Sequence, residues 1–208
     1  MENKAEKHKG HVRLIAKVRG GLGVVLAILC GAALLGAQSE KPAKPKKLNE
    51  LYTSTAFVRT GARSGMIGVN LYVDAYSTDE EVIQLAQTLR EKGSEGLLKA
   101  VSKLKGKGRL APTGHVGTDI KVIRVRKTET GRRIFLVTDR PLAFLELYNS
   151  TRSRDYSFGV IQLDLDEQGK GEGVMLAATK ISFDKENQLE LEHYGIDPVR
   201  LTNIRKEK

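Results

Sequence analysis

The stretch Phe158-Gly-Val-Ile-Gln-Leu-Asp-Leu-Asp166 decides the fold. Ile161, Leu163 and Leu165 fall on one face, and Gln162, Asp164 and Asp166 on the other. Alternation with period two, bounded by turn residues, marks a strand with one buried face. A polar, glycine-rich stretch follows, and then a second arm, Gly173-Val-Met-Leu-Ala-Ala-Thr-Lys-Ile-Ser-Phe-Asp184. The two arms predict a hairpin at the middle of an antiparallel sheet.

Strands are expected on both sides of it. Residues 119–139 predict a second hairpin, turning at Thr128-Glu-Thr-Gly131, where glycine supplies the positive φ that such turns need. Leu142 to Tyr148 is an apolar run of strand character. Gln188 to Tyr194 pairs back after the turn at Lys185-Glu-Asn187, and Val199 to Ile204 is a last short strand tied into the sheet. Upstream, Tyr52 to Arg59 and Met66 to Tyr76 read as strands. In the second of these, Ile67, Val69, Leu71 and Val73 line one face, while Tyr72 and Tyr76 share the other. Two tyrosines there can serve as a ligand platform, but on a strand they are more simply good strand formers.

Between the strands lies helical sequence. Thr78-Asp-Glu-Glu81 is a capping box, in which a hydroxyl caps the helix start and a carboxylate three residues on reaches back. This accounts for the three acids without a catalytic role. Val82, Leu85, Ala86 and Leu89 form an apolar stripe. Gly93 is expected to end this helix and Ser94 to start another. The fold class expected is α+β: about eight mostly antiparallel strands, meander-like, with a helix pair on one face.

Residues 1–37 look different. A basic stretch precedes the uncharged residues 20–37, which end Leu35-Gly36-Ala37. This is the pattern of a secretory signal peptide, with the cut expected after Ala37. An uncleaved anchor is the alternative, because the uncharged run approaches the roughly 17–25 residues of a spanning helix. Residues 38–47, rich in lysine and proline, read as a solvated linker, and 48–208 as a single domain. The expected location is periplasmic or extracellular, with membrane contact only through an uncleaved signal segment.

The chain carries a net charge of +10. Setting aside the six basic and two acidic groups of residues 1–37 leaves 29 basic against 23 acidic, a net of +6. That is moderate, and no specific nucleic-acid partner is expected. Cys30 is the one cysteine, so the domain has no disulfide and no thiolate metal site.

Few residues invite chemistry. Asp164, Asp166, Gln168 and Gly169 resemble the start of a calcium loop, but Met175 stands where the bidentate acid belongs. His115 sits in a loop between glycines with no serine, cysteine or acid at a recognisable spacing. No metal and no cofactor is expected. The densest basic cluster is Arg124, Arg126, Arg132 and Arg133 near the tip of the second hairpin, with Arg140 beyond. It suits an anionic envelope polymer or a protein partner, since guanidinium groups grip oxyanions with paired hydrogen bonds. Alternatively, such charges merely blunt a sheet edge.

Three segments carry a resemblance: Thr138-Asp-Arg-Pro141, residues 155–173 from Asp155-Tyr-Ser-Phe to Gly-Glu-Gly173, and Pro198-Val-Arg-Leu-Thr-Asn-Ile-Arg205. Their order resembles a family of uncharacterised exported bacterial proteins, over roughly residues 78–205. The resemblance implies export and a bacterial source. It implies no activity, substrate or catalytic residue.

A non-enzymatic exported or envelope-associated binding domain is therefore the expected function. A hydrolase whose site is assembled from dispersed residues is the alternative, and a deep pocket with convergent polar groups would mark it. The signal-peptide reading predicts that protein recovered from the cell envelope begins at Gln38 on N-terminal sequencing. Recovery of a chain with intact Met1 from the cytoplasm would overturn it.

Overall fold

Ile161, Leu163 and Leu165 are all buried and Gln162 and Asp164 half-buried, as the alternation requires. They belong to a strand of a sheet that wraps almost completely around itself. In the computed structural model, residues 9–10, 48–60, 63–142, 155–194 and 197–207 are described. The expected signal peptide (apart from residues 9–10), the linker and residues 143–148 of the expected strand from Leu142 lie outside them.

The strands are β1 (Lys9–Gly10), β2 (Glu50–Thr60), β3 (Arg63–Val73), β4 (Gly108–Pro112), β5 (Thr118–Ile120), β6 (Val122–Thr128), β7 (Gly131–Val137), β8 (Phe158–Asp166), β9 (Gly171–Phe183), β10 (Leu189–Tyr194) and β11 (Val199–Lys206). Every pairing among them is antiparallel. Their order is β5-β4-β3-β2-β11-β9-β8-β7-β6, with β10 on the far half of β9 and β1 on β10. The two ends of that order, β5 and β6, are consecutive in the chain and separated only by Lys121. The Lys121 amide donates to Val137 O at 3.0 Å, and Lys107 N donates to Ile120 O at 2.8 Å, so one bent strand is bonded on both sides. The result is a nearly closed barrel with eight strand positions.

Most neighbours in the barrel are also neighbours in sequence. The exception is β11, which inserts between β2 and β9. Leu201 pairs with Ala56 on one side and Gly173 on the other. The ladder is interrupted after Leu201, where Asn203 takes a left-handed φ of 53°. Asparagine tolerates that conformation better than most residues. The β6–β7 turn is the expected one. Its positive φ falls on Gly131, at 151°, and a Cβ there would stand 2.2 Å from Leu165 O.

The interior is filled by side chains such as Tyr52, Leu110, Ile123, Ile134, Leu163 and Met175. A barrel of eight strands has an interior about wide enough for side chains alone. The outer face is covered over part of its circumference by α1 (Asp79–Ser102). Leu85, Leu89, Leu97 and Val101 of α1 pack against Phe158, Val160, Leu176 and Ile181. This second core explains why Met175 through Thr179 are buried without a break: β9 is covered on both faces.

The expected capping box is present. Glu81 N donates to Thr78 Oγ1 at 3.2 Å, and Thr78 N donates to Glu81 Oε2 at 3.1 Å. Glu81 also pairs with Lys107 at 3.1 Å, tying the helix start to the approach to β4. The expected helix pair runs as one span, Asp79–Ser102, with a non-helical kink at the expected break point, Gly93, where φ is 63° and ψ −167°. Two strands, β1 and β4, lie outside the expected ones, while β5 is the start of the expected hairpin arm from Asp119. β1 and β4 are both short, and β4 begins at a glycine and ends at a proline. Tyr72 and Tyr76 do not form a platform. Tyr76 lies beyond the end of β3 and packs against the interior, while Tyr72 lies under the Arg109 guanidinium at 4.9 Å.

These packing roles differ in weight. Leu163→Ala is expected to cost about 2–5 kcal/mol through lost burial and a residual cavity. Thr78→Ala is expected to cost about 1 kcal/mol through the lost cap. Urea denaturation of the full chain checks both, and equal costs would contradict the layered core.

Candidate binding site at one end of the barrel

The period of two sorts the basic hairpin. Ile134 and Leu136 point into the barrel, so Arg132 on the same parity points in as well, at the barrel's end. Arg133 points out. Arg126 faces Arg133 across the β6–β7 ladder, and Arg124 lies two residues further along the same outer face. Arg124, Arg126 and Arg133 therefore form one outer group. Arg140 lies past the opposite end of β7 and is paired with Asp139 at 3.4 Å, so it does not join them.

Two of the three outer arginines have carboxylate partners. Arg124 pairs with Asp79 in the first turn of α1, and Arg133 with Asp164 on β8. Arg126 is exposed and makes no ion pair with a described residue. Asp164 also accepts from Gln162 Nε2 at 2.8 Å, and Asp166 accepts the Lys170 amide at 2.8 Å, closing the β8–β9 turn. Both acids of the calcium-like sequence thus have structural partners. His115 is exposed in its loop, as expected.

Arg132 leads to a feature that no local pattern signalled. Its Nη2 donates to Tyr52 Oη, and its Nη1 stands 3.6 Å from Glu50 Oε1. Tyr52 Oη donates to Glu50 Oε2 at 2.9 Å, and Tyr76 Oη to the same oxygen at 2.8 Å. Lys206 Nζ, on the last strand, donates to Glu50 Oε1 at 2.5 Å. The Glu50 side chain is 11% exposed. Burial pushes its pKa up, but Lys206, the two phenols and Arg132 together outweigh that and hold it below the usual carboxylate range. Burial and the bond to Glu50 push the Tyr76 phenol up to about 12, and the same causes raise Tyr52. At neutral pH the cluster therefore holds one carboxylate, two neutral phenols and two cations.

Beside this cluster opens a groove of about 710 Å³. Arg132, Arg133, Lys170 and Arg205 supply its positive charge, Asp164, Asp166 and Glu172 its negative charge, and Thr128, Thr130, Thr202 and Asn203 its neutral polar groups. The irregularity in β11 brings Thr202 through Arg205 to its wall. Bulges of this kind commonly re-aim side chains beside functional sites. Among the described residues there is no group of three or more His, Cys, Asp or Glu side chains placed to hold a metal ion. Among them, too, no helix is long and apolar enough to cross a membrane.

No family model, no curated protein and no solved structure matches the chain. What the site can do follows from its own chemistry.

That chemistry gives the cluster a definite pH dependence. Glu50 has a folded pKa below its unfolded value, so its contribution to stability is complete above the ordinary carboxylate range and is lost as pH falls through the folded pKa. Tyr76 has the opposite sign. Its contribution is complete below about 10 and is lost as pH rises toward about 12. Glu50→Gln should flatten the acid limb of a stability-versus-pH curve, and Tyr76→Phe the alkaline limb. Unchanged limbs in both variants would contradict the arrangement.

Proposed function

We propose that the chain is an exported, non-enzymatic binding domain that holds an anionic envelope polymer on the outer face of the β6–β7 hairpin. The observation that carries this reading is the alignment of Arg124, Arg126 and Arg133 on one outer face, next to a groove edged by Lys170 and Arg205. The filled barrel supports it by leaving ligand chemistry to the ends and outside of the sheet.

The ion pairs of Arg124 and Arg133 do not remove these residues from such a surface. Both arginines are partly exposed, and pairs of that kind are typically worth less than about 1 kcal/mol. A polyanion offering many oxygens competes with single carboxylates for the guanidinium groups. Binding of this kind is steered by charge and weakened by salt, because the Debye length shrinks to about 3 Å at 1 M.

The test is retention on an anionic polysaccharide column at low and high salt. The parent is expected to be retained at low salt and released at high salt, and Arg124→Glu/Arg126→Glu to elute early at both. Co-elution of parent and variant at both salts would reduce the outer arginines to a solvated sheet edge.

A further inference from the structure

The inward arginine has a different use from the outward ones. We propose that Arg132, at the wall of the end groove, is the recognition point for a single small oxyanion, a carboxylate or phosphate group at the end of a polar ligand. This site does not depend on the polymer reading, although Arg133 of the outer group also lines the groove.

The charge balance of the cluster favours an anion. Glu50 is surrounded by Arg132 and Lys206, so the cluster holds two cations and one anion. Glu50 has spent both oxygens: Oε2 accepts from the two phenols, and Oε1 from Lys206 with Arg132 nearby. The cluster thus carries a surplus positive charge where it meets the groove. The Arg132 side chain is 26% exposed, and it lines the groove itself.

Arg132 is also preorganised. Arg132 is held by a hydrogen bond to Tyr52 Oη, by its pairing with Glu50, and by the Tyr52 ring, whose centroid is 5.7 Å away. A guanidinium carries five N–H donors, more than the Tyr52 bond and the contact with Glu50 consume. A fixed guanidinium with donors to spare binds an oxyanion at a lower entropic cost than a mobile surface arginine.

The rest of the groove wall adds further polar groups. The displaced segment of β11 lines the groove with Thr202, Asn203 and Arg205, and Thr128 and Thr130 line it from the β6–β7 turn. Hydroxyl and amide groups supply neutral donors for an oxyanion's remaining oxygens, and Arg205 and Lys170 offset the Asp166 and Glu172 carboxylates that also line the groove. No aromatic ring lines the groove among the described residues, so selection there rests on charge and hydrogen bonding. Arg132 stands on the inward face of its strand, so an end group can reach it while the middle of a stiff polymer cannot.

The experiment titrates the isotope-labelled full chain separately with sodium phosphate, sodium acetate and sodium chloride at matched ionic strength, and follows backbone amide shifts. Saturable shifts are expected at Thr130 to Arg133, Gly171 and Asn203 with phosphate, acetate or both, and not with chloride. The tighter of the two names the end group as phosphate or carboxylate. Arg132→Gln should weaken binding by about tenfold or more, as loss of a charge-assisted bidentate contact does. Arg132→Lys should recover only part of it, and Arg126→Gln should change it less than about twofold. Shifts that chloride reproduces, or that survive Arg132→Gln in a folded chain, overturn the proposal. Should Arg132→Gln unfold, Arg205→Gln on the open side decides: weaker binding supports the site, and unchanged binding overturns it. Persistence of these shifts in Arg124→Glu/Arg126→Glu separates this site from the outer surface.

Discussion

Eight strand positions around one axis leave an interior that side chains alone can fill, and the rest of the molecule follows from that limit. Tyr52, Ile134, Leu163 and Met175 occupy the space a ligand would need. Polar chemistry is displaced to where the barrel ends or to its outer face. At one end the inward parity continues past the last apolar residues and brings Glu50, Arg132 and Lys206 together. The helix covers one end of the outer face of β6–β9, and the other end of those strands keeps Arg126, Arg133 and the groove.

A buried carboxylate is costly unless it is paired, and Glu50 is paired four ways. The residues that satisfy it come from β2, the segment after β3, β7 and β11. The cluster therefore does two things. It specifies which strand ends meet, because any other pairing would strand a charge. It also fixes the position of a guanidinium that reaches the groove.

Much of this was legible in the sequence, in proportion to how local the cause was. The faces of β3 and β8, the β6–β7 hairpin with Gly131, and the cap at Thr78 each depend on residues a few positions apart. The separation of Arg132 from Arg133 follows from the period of two alone. The Glu50 cluster does not, because its contacts span 26 positions to Tyr76 and 156 to Lys206. The insertion of β11 between β2 and β9 is equally non-local, and no turn signals it. β4 escaped for a different reason: five residues are too few for a periodicity to register. Gly93 read as a helix end because its positive φ breaks the helical path, yet packing on both sides of it continues along the same sheet face.

The position of β11 has a consequence for the order in which the chain is made. Synthesis runs from the N-terminus, and the strand that joins β2 to β9 comes after all the others. Until residues 199–206 emerge, β2 and β9 each present a bare edge over the length that β11 later covers. Two open edges of alternating apolar sequence are templates for pairing with other chains. A nascent or truncated molecule that lacks β11 is thus a sheet with sticky margins, and only one that carries β11 can seal itself. Stop codons and proteolysis within residues 199–206 should be far more damaging than loss of a strand at the margin of a sheet, because β11 is paired on both sides.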